Sequence, residues 1–327
     1  MSEQAILSVR DIQVHFKVRA KSRLPWAPSR TLKAVDGVSF DLKAGETLGV
    51  VGESGCGKST LARAILNLIP ATQGEIVWMG RALRGASARE WHAVRRDIQM
   101  IFQDPLASLD PRMTLGQIIA EPLREHRPGM SKEEMTQRVR AMMGKVGLRE
   151  QMINRYAHEF SGGQCQRIGI ARALIVEPKL IVCDEPVSAL DVSIQAQIVN
   201  LLKALQQEMQ LALIFIAHDL AVVKHISDRV LVMYLGHVME LSDKHSLYSL
   251  PRHPYTRALL SAVPVPDPAI ERTKVVHILS SDIPSPINPP SGCVFHTRCP
   301  IAEARCSNEV PGLRTLAPGV AAACLLA

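Results

Sequence analysis

A chain of 327 residues that is 47% hydrophobic but only 4% aromatic has enough aliphatic material for one large α/β domain plus a smaller one, which excludes a disordered chain. Its formal charge of +7 is spread along the sequence, which reads as a solvated basic surface, and no nucleic-acid partner is expected. No apolar run approaches the roughly 18 residues that span a bilayer, and the start MSEQAILSVRD lacks a signal-peptide core, so a cytosolic protein able to dock on a membrane protein is expected.

From the N-terminus, Ile6 to Val18 alternates as a half-exposed strand through His15 and Phe16, and residues 20–30 form a basic, proline-interrupted loop. A second strand pattern, Thr31 to Leu42, leads through Ala44-Gly45 into the short apolar run Thr47–Val51, as expected of a strand buried on both faces. That run breaks at Gly52 into Glu53-Ser54-Gly55-Cys56-Gly57, and Lys58, Ser59 and Thr60 open an amphipathic helix with Leu61, Ile65, Leu66 and Ile69 at helical spacing. Strand, glycine-rich loop and helix give the pattern G-x-x-x-x-G-K-[ST] the context of a phosphate site. Glycines let successive N–H groups converge on one anion, and the helix start adds unpaired N–H groups and a positive dipole end. Lys58 is placed for the β- and γ-phosphates, and the Ser59 hydroxyl for Mg²⁺. This chain is expected to bind a nucleotide.

Glu75–Met79 and Asp97–Phe102 read as further strands. Segments 114–126, 131–147 and 164–176 then carry apolar residues at three-to-four spacing, and strand signals resume at Leu180–Cys183, Ala212–Ala217 and Val230–Tyr234. Such an alternation, interrupted by one helical block, predicts an α/β parallel-sheet core with an inserted helical subdomain. The block ends in Ser161-Gly162-Gly163-Gln164, a helix start able to hold a second phosphate or simply a capped loop. Four apolar residues next deliver Asp184 and Glu185 to the carboxyl edge of a strand, where ligands sit in open α/β sheets. The first acid suits Mg²⁺ held through water, the second an attacking water.

This set resembles the ATP-binding cassette ATPases over nearly the whole chain. In that resemblance Gly52 to Thr60 is the Walker A motif, Gln103 the Q-loop glutamine, and Phe160-Ser-Gly-Gly-Gln164 the signature, with Phe in place of the usual leading Leu. Asp184 and Glu185 match Walker B and the catalytic glutamate, Ser188-Ala-Leu-Asp191 the D-loop, His218 the switch histidine, and Phe16 the aromatic that stacks on adenine. The resemblance implies a P-loop NTPase core with an N-terminal β-subdomain. The cassette would cover residues 1–262, its helical subdomain about 104–176, and an extension 263–327. It also implies ATP hydrolysis, with Ser59 and Gln103 on Mg²⁺, Glu185 activating water and His218 on the γ-phosphate. Such domains pair head-to-tail, so that Gly162 and Gly163 complete the partner's nucleotide site, and Ser161, Gln164 and Asp191 are expected among the nucleotide-binding residues.

Pro251–Leu260, Ile283–Cys293 and Phe102–Pro111 are similar to the oligopeptide and dipeptide importer branch, and most of all to its F-type ATPase subunits. That implies a sister D-type ATPase, two membrane permeases and a periplasmic or extracellular peptide-binding protein, at the cytoplasmic face of a bacterial inner membrane. Alternatives are an importer ATPase for another solute, such as nickel or a peptide-like compound, or a soluble cassette ATPase of DNA repair or translation. Against the soluble classes, no sustained heptads lie between Thr60 and Asp184, and the chain holds one cassette where translation members usually hold two.

Seven of the 21 prolines lie between residues 264 and 290, so this connector forms no long helix. Four of the seven cysteines follow in the last 35 residues, Cys293, Cys299, Cys306 and Cys324, spaced C-x5-C-x6-C-x17-C. A reducing cytosol disfavours disulfides, and four thiolates suit an iron–sulfur cluster or Zn²⁺. The importer resemblance implies a [4Fe–4S] cluster, with zinc as the runner-up. Cys56, Cys165 and Cys183 read as small apolar residues.

Overall fold

The computed structural model describes residues 5–19, 29–264, 267–274, 279 and 282–327. Most of the loop expected at 20–30 and part of the proline-rich connector lie outside the described residues. In chain order the elements are β1 (Ala5–Arg19), β2 (Ser29–Lys43), β3 (Thr47–Val51), α1 (Lys58–Ile65), β4 (Gln73–Trp78) and β5 (Arg81–Ala82). Then come α2 (Ala88–Asp97), β6 (Ile98–Ile101), α3 (Leu115–His126), α4 (Lys132–Lys145), α5 (Gly162–Leu174), β7 (Leu180–Asp184), α6 (Val192–Met209) and β8 (Ala212–Ile216). The chain closes with α7 (Leu220–Ile226), β9 (Arg229–Tyr234), β10 (His237–Asp243), α8 (Lys244–Ser249), α9 (Pro254–Ser261), α10 (Pro268–Thr273), β11 (Arg314–Ala317) and β12 (Val320–Ala322).

The chain divides into two compact units. The first is mainly residues 85–217. Its strands β6, β7 and β8 are parallel neighbours, Ile98 opposite Leu180 and Leu180 opposite Ala212. Every residue of β7 and β8 is buried, which is why both read as unbroken apolar runs. Helices α3, α4 and α5 pack on one another, burying Ile118, Ile119 and Leu123, Val139 and Met143, and Ile168, Ile170 and Leu174. One boundary differs from expectation. Asp97 ends α2 instead of opening a strand, because a reciprocal cap between Ser87 and Glu90 starts a helix that buries Trp91 and Val94.

The second unit is mainly residues 7–41, 48–84 and 218–327. It holds a four-stranded sheet ordered β2-β1-β4-β5, with β1 antiparallel to β4 and Leu7 opposite Trp78. It also holds the buried strand β3, parallel to β9 with Gly49 opposite Val230. A two-residue turn joins β9 to β10. Leu235 and Gly236 both take positive φ there (44° and 82°), as a turn matched to strand twist requires. Among its described residues the proline-rich connector forms the six-residue helix α10, with Pro268 at its start. Beyond it the tail builds the hairpin β11–β12, and β12 pairs antiparallel with β10, Ala321 opposite Leu241. Terminal strands thus cover an edge of β10 that would otherwise present unpaired backbone groups.

Candidate nucleotide-binding site

Leaving β3, the chain passes through Gly52, Gly55 and Gly57 at φ of 151°, 78° and 105°, a region L side chains rarely enter. Neighbours enforce two of the three: a Cβ at Gly52 would stand 2.2 Å from the Met233 carbonyl oxygen, and one at Gly57 2.1 Å from that of Ala34. Ser54 and Gly55 form an exposed crest, and a Cβ at Gly55 would point into open space. This is a backbone cradle. The Cys56 carbonyl takes the Gly236 N–H at 2.9 Å, tying the cradle to the β9–β10 turn. The Cys56 thiol is buried, which pushes its pKa up and leaves it packing as an apolar group.

Gly57 caps α1 without a side chain, so the N-cap itself supplies no side-chain acceptor to the helix start. Lys58 is 4% exposed, and its Nζ donates to the carbonyls of Gly52 (2.8 Å) and Glu53 (3.1 Å). The ammonium is therefore held over the loop by the loop's own oxygens. Ser59 and Thr60 follow in the first turn of α1. Phe16, on β1, is 37% exposed, an aromatic face left open to stack on a ring. His218 is exposed and directly precedes Asp219, which caps α7 by accepting the Ala221 N–H at 2.7 Å.

In the other unit, Asp184 ends β7 and is 1% exposed. Glu185 follows at φ 47°, in the left-handed region. Three bonds hold it there: its N–H donates to the Ile216 carbonyl (3.1 Å), and its own carbonyl accepts from the Ser188 N–H (3.3 Å) and hydroxyl (3.1 Å). The bend turns the carboxylate to meet Gln103, whose Nε2 donates to Oε2 at 3.0 Å. The sequence named both residues but gave no sign that they pair.

The Ser161–Gln164 motif is a reciprocal cap on α5. The Ser161 hydroxyl accepts the Gln164 N–H, and the Gln164 side-chain oxygen accepts the Ser161 N–H at 3.0 Å. Gly162 at its start is exposed, with room for a side chain: the nearest atom to an added Cβ is Leu190 Cδ2 at 3.5 Å. At Gly163 the same atom would meet Ile194 Cγ2 at 2.6 Å. Asp191 caps α6, accepting from the Ser193 hydroxyl (2.7 Å) and the Ile194 N–H (3.0 Å), and these bonds hold its pKa below the ordinary carboxylate range.

The comparisons with known proteins agree with this geometry. Residues 35–188 match the family model described as ABC transporter, and residues 239–306 that of the oligopeptide/dipeptide transporter C-terminal region. The oligopeptide transport ATP-binding protein OppF of Escherichia coli (strain K12) is 66% identical over 310 residues, covering 95% of this chain and 93% of that protein. This chain belongs to the ATP-binding cassette family of transporter ATPases. OppF of Haemophilus influenzae is 64% identical over the same shares of both chains. Among solved structures, the dimeric post-hydrolysis state of the cassette MJ0796 bound to ADP and Pi superposes with a TM-score of 0.64 at 29% identity, covering 73% of this chain and 98% of that one. The cbiO1 cassette of Clostridium perfringens, part of the ABC transporter complex cbiONQ, also gives 0.64 at 26% identity, covering 76% and 92%.

In this cassette ATPase the four tail cysteines share one small module. The Cys293 N–H donates to the Cys306 carbonyl at 2.8 Å, and the Cys324 carbonyl takes an Arg314 guanidinium at 2.9 Å. Burial first, and then the charge of the neighbouring cysteines, pushes the Cys293 and Cys299 thiols up. The four sulfurs are thus electrostatic neighbours, although among the described residues no group of three or more His, Cys, Asp or Glu side chains stands in metal-holding geometry. Also among the described residues, no helix is long and apolar enough to cross a membrane.

Cassette sequence motifs gave no notice of a further set of residues. Tyr255, Arg298 and Tyr234 surround Glu53: the Glu53 N–H donates to Tyr255 Oη at 3.0 Å, and its carboxylate pairs with Arg298 at 2.7 Å. No periodicity links residues so far apart in sequence.

Proposed function

We propose that this chain is the ATP-hydrolysing subunit of an importer of oligopeptides or dipeptides. The observation that carries this reading is the 66% identity to OppF along 95% of the chain, with every cassette motif present. In this reading residues 1–262 are the cassette, with its helical subdomain about 104–176, and residues 263–327 the importer-type extension. Its partners are a sister D-type ATPase, two permeases and a peptide-binding protein, with the complex at the cytoplasmic face of the inner membrane. The direct test is peptide-stimulated ATP hydrolysis by the chain assembled with a sister ATPase, two permeases and a peptide-binding protein. Hydrolysis stimulated by nickel and not by peptides would overturn the peptide assignment.

Residue by residue, the loop N–H groups of Gly52 to Thr60 cradle the phosphates, Lys58 turns from its two carbonyls to the β- and γ-phosphates, and Phe16 stacks on adenine. By the family resemblance Ser59 and Gln103 would hold Mg²⁺ and Asp184 would act on it through water, and the ion would supply neutralisation of the phosphate charge. Glu185 orients a water and accepts its proton as that oxygen bonds to the γ-phosphorus and the bond to the β-phosphate oxygen breaks, releasing ADP and phosphate. His218 contacts the γ-phosphate, and Ser161, Gly162, Gly163, Gln164 and Asp191 serve the partner's nucleotide.

The shared-site arrangement has a clean test at Gly162. A Cβ there makes only an ordinary contact with Leu190 Cδ2 at 3.5 Å, whereas one at Gly163 would first displace Ile194. Gly162→Asp is expected to cut hydrolysis by the assembled pair by about tenfold or more, through charge repulsion at the partner's γ-phosphate, while its own Walker A still binds ATP. Loss of ATP binding by the isolated, folded variant would contradict this arrangement.

For the tail, the reading is one [4Fe–4S] cluster on Cys293, Cys299, Cys306 and Cys324, supported by four neighbouring cysteines that disfavour one another as thiolates and that a metal centre would let ionise together. Protein purified without air is expected to hold about four irons per chain. One zinc per chain would favour the runner-up, and neither metal would remove both.

A further inference from the structure

Glu53 is the one acidic residue of the phosphate-binding loop Gly52–Thr60. Its carboxylate takes a two-pronged bond from Arg298, Nη1 to Oε2 at 2.7 Å and Nη2 to Oε1 at 3.0 Å. Arg298 is 7% exposed, its Nη1 also reaches Tyr234 Oη at 3.4 Å, and its guanidinium lies 5.7 Å from the centre of the Tyr234 ring. The short turn His296–Arg298 carries it, and the preceding Phe295 is seated among Tyr234, Tyr255 and His253 at ring distances of 5.3–5.6 Å. Tyr255 completes the clamp, accepting the Glu53 N–H and donating to its carboxylate at 3.4 Å. Both partners of the ion pair lie in the same compact unit, and the arginine belongs to the tail beyond the proline-rich connector.

We propose that Arg298 is a positioning residue for the nucleotide site: it neutralises the Glu53 carboxylate and pins it against the extension, keeping the loop's one negative side chain from opposing the triphosphate. The extension is then a working part of the ATP site. Released, that carboxylate stands one residue from Gly52 and repels a ligand that itself carries several negative charges. A forked guanidinium fixes both the charge and the direction of a carboxylate, which a lysine ammonium does not. The site also suits permanent charge, because arginine stays protonated at any working pH and the bonds to Glu53 raise its pKa further.

The inference rests on the reading of Gly52–Thr60 as the ATP site, so wild-type binding is measured alongside. In the full chain, Arg298→Ala is expected to weaken ATP binding on the order of tenfold, solvent around the partly exposed Glu53 keeping the loss below that of a deeply buried pair. Arg298→Lys should fall between the two. The deciding variant adds Glu53→Gln to Arg298→Ala: with the carboxylate gone, affinity should return to within about threefold of wild type. A residue that merely staples the tail would give no such rescue, and its loss would lower the melting temperature while leaving affinity alone. Should Arg298→Ala fail to fold, Arg298→Lys with and without Glu53→Gln makes the same comparison. Unchanged affinity in the folded single variant, or no rescue in the folded double variant, overturns the proposal. A wild-type chain that bound no nucleotide would overturn the site reading with it.

Discussion

Glu185→Gln is expected to bind ATP about as tightly as wild type while losing roughly 10²–10⁴ of its hydrolysis rate. An amide keeps the volume of the carboxylate and can still bond the Gln103 side chain, which sits 3.0 Å away. It cannot accept a proton from water. Because backbone bonds from Ile216 and Ser188 fix the left-handed bend at Glu185, the substituted side chain should occupy the same position, and stability should be unchanged. Single-turnover hydrolysis, measured beside equilibrium binding of a fluorescent ATP analogue, separates the two effects. Wild-type turnover would remove Glu185 from the role of base, and lost binding would point to a structural function instead.

Gly57→Ala should abolish nucleotide binding by a different route. The added methyl would stand 2.1 Å from the Ala34 carbonyl oxygen, and the φ of 105° is itself unfavourable for any L side chain. Overpacking and backbone strain each cost about 1–3 kcal/mol. Relief of either requires the loop to move, and β2, which carries Ala34, is anchored in a four-stranded sheet. A lowered urea midpoint together with undetectable ATP binding is the expected result. By contrast Gly55→Ala meets no neighbour and should lose only the part of affinity that its backbone φ contributes. Equal losses at the two glycines would show that crowding against Ala34 is not the cause.

How far the sequence revealed this molecule depended on how local each signal was. The strand Thr47–Val51, the glycine-rich loop and the start of α1 could be read because strand, turn and helix follow one another within a few residues. Strands β7 and β8 were legible because burial on both faces leaves an unbroken apolar run. Helix α2 was not read: five of its ten residues, Arg89, Glu90, Arg95, Arg96 and Asp97, are charged, and only Trp91 and Val94 are buried, so its period is faint although Ser87 and Glu90 announce its cap. Strands β11 and β12 are only four and three residues long, and their pairing with each other and with β10 decides them more than composition does. At the site, Gln103 and Glu185 were each identifiable, but their hydrogen bond joins residues on different elements and leaves no local mark. The Glu53–Arg298 pair was wholly hidden for the same reason.

That pair has a consequence for how the protein comes to be made. Glu53 precedes its guanidinium partner by 245 residues, and at ordinary rates of synthesis the arginine emerges on the order of ten to fifty seconds later. For that interval the nascent phosphate-binding loop is complete in sequence but carries an unopposed carboxylate. Full affinity for nucleotide would arrive late, when the tail docks, so a ribosome stalled short of Arg298 would hold a cassette that binds ATP about tenfold more weakly than the finished chain. Order of synthesis would then work as a built-in delay on the nucleotide switch.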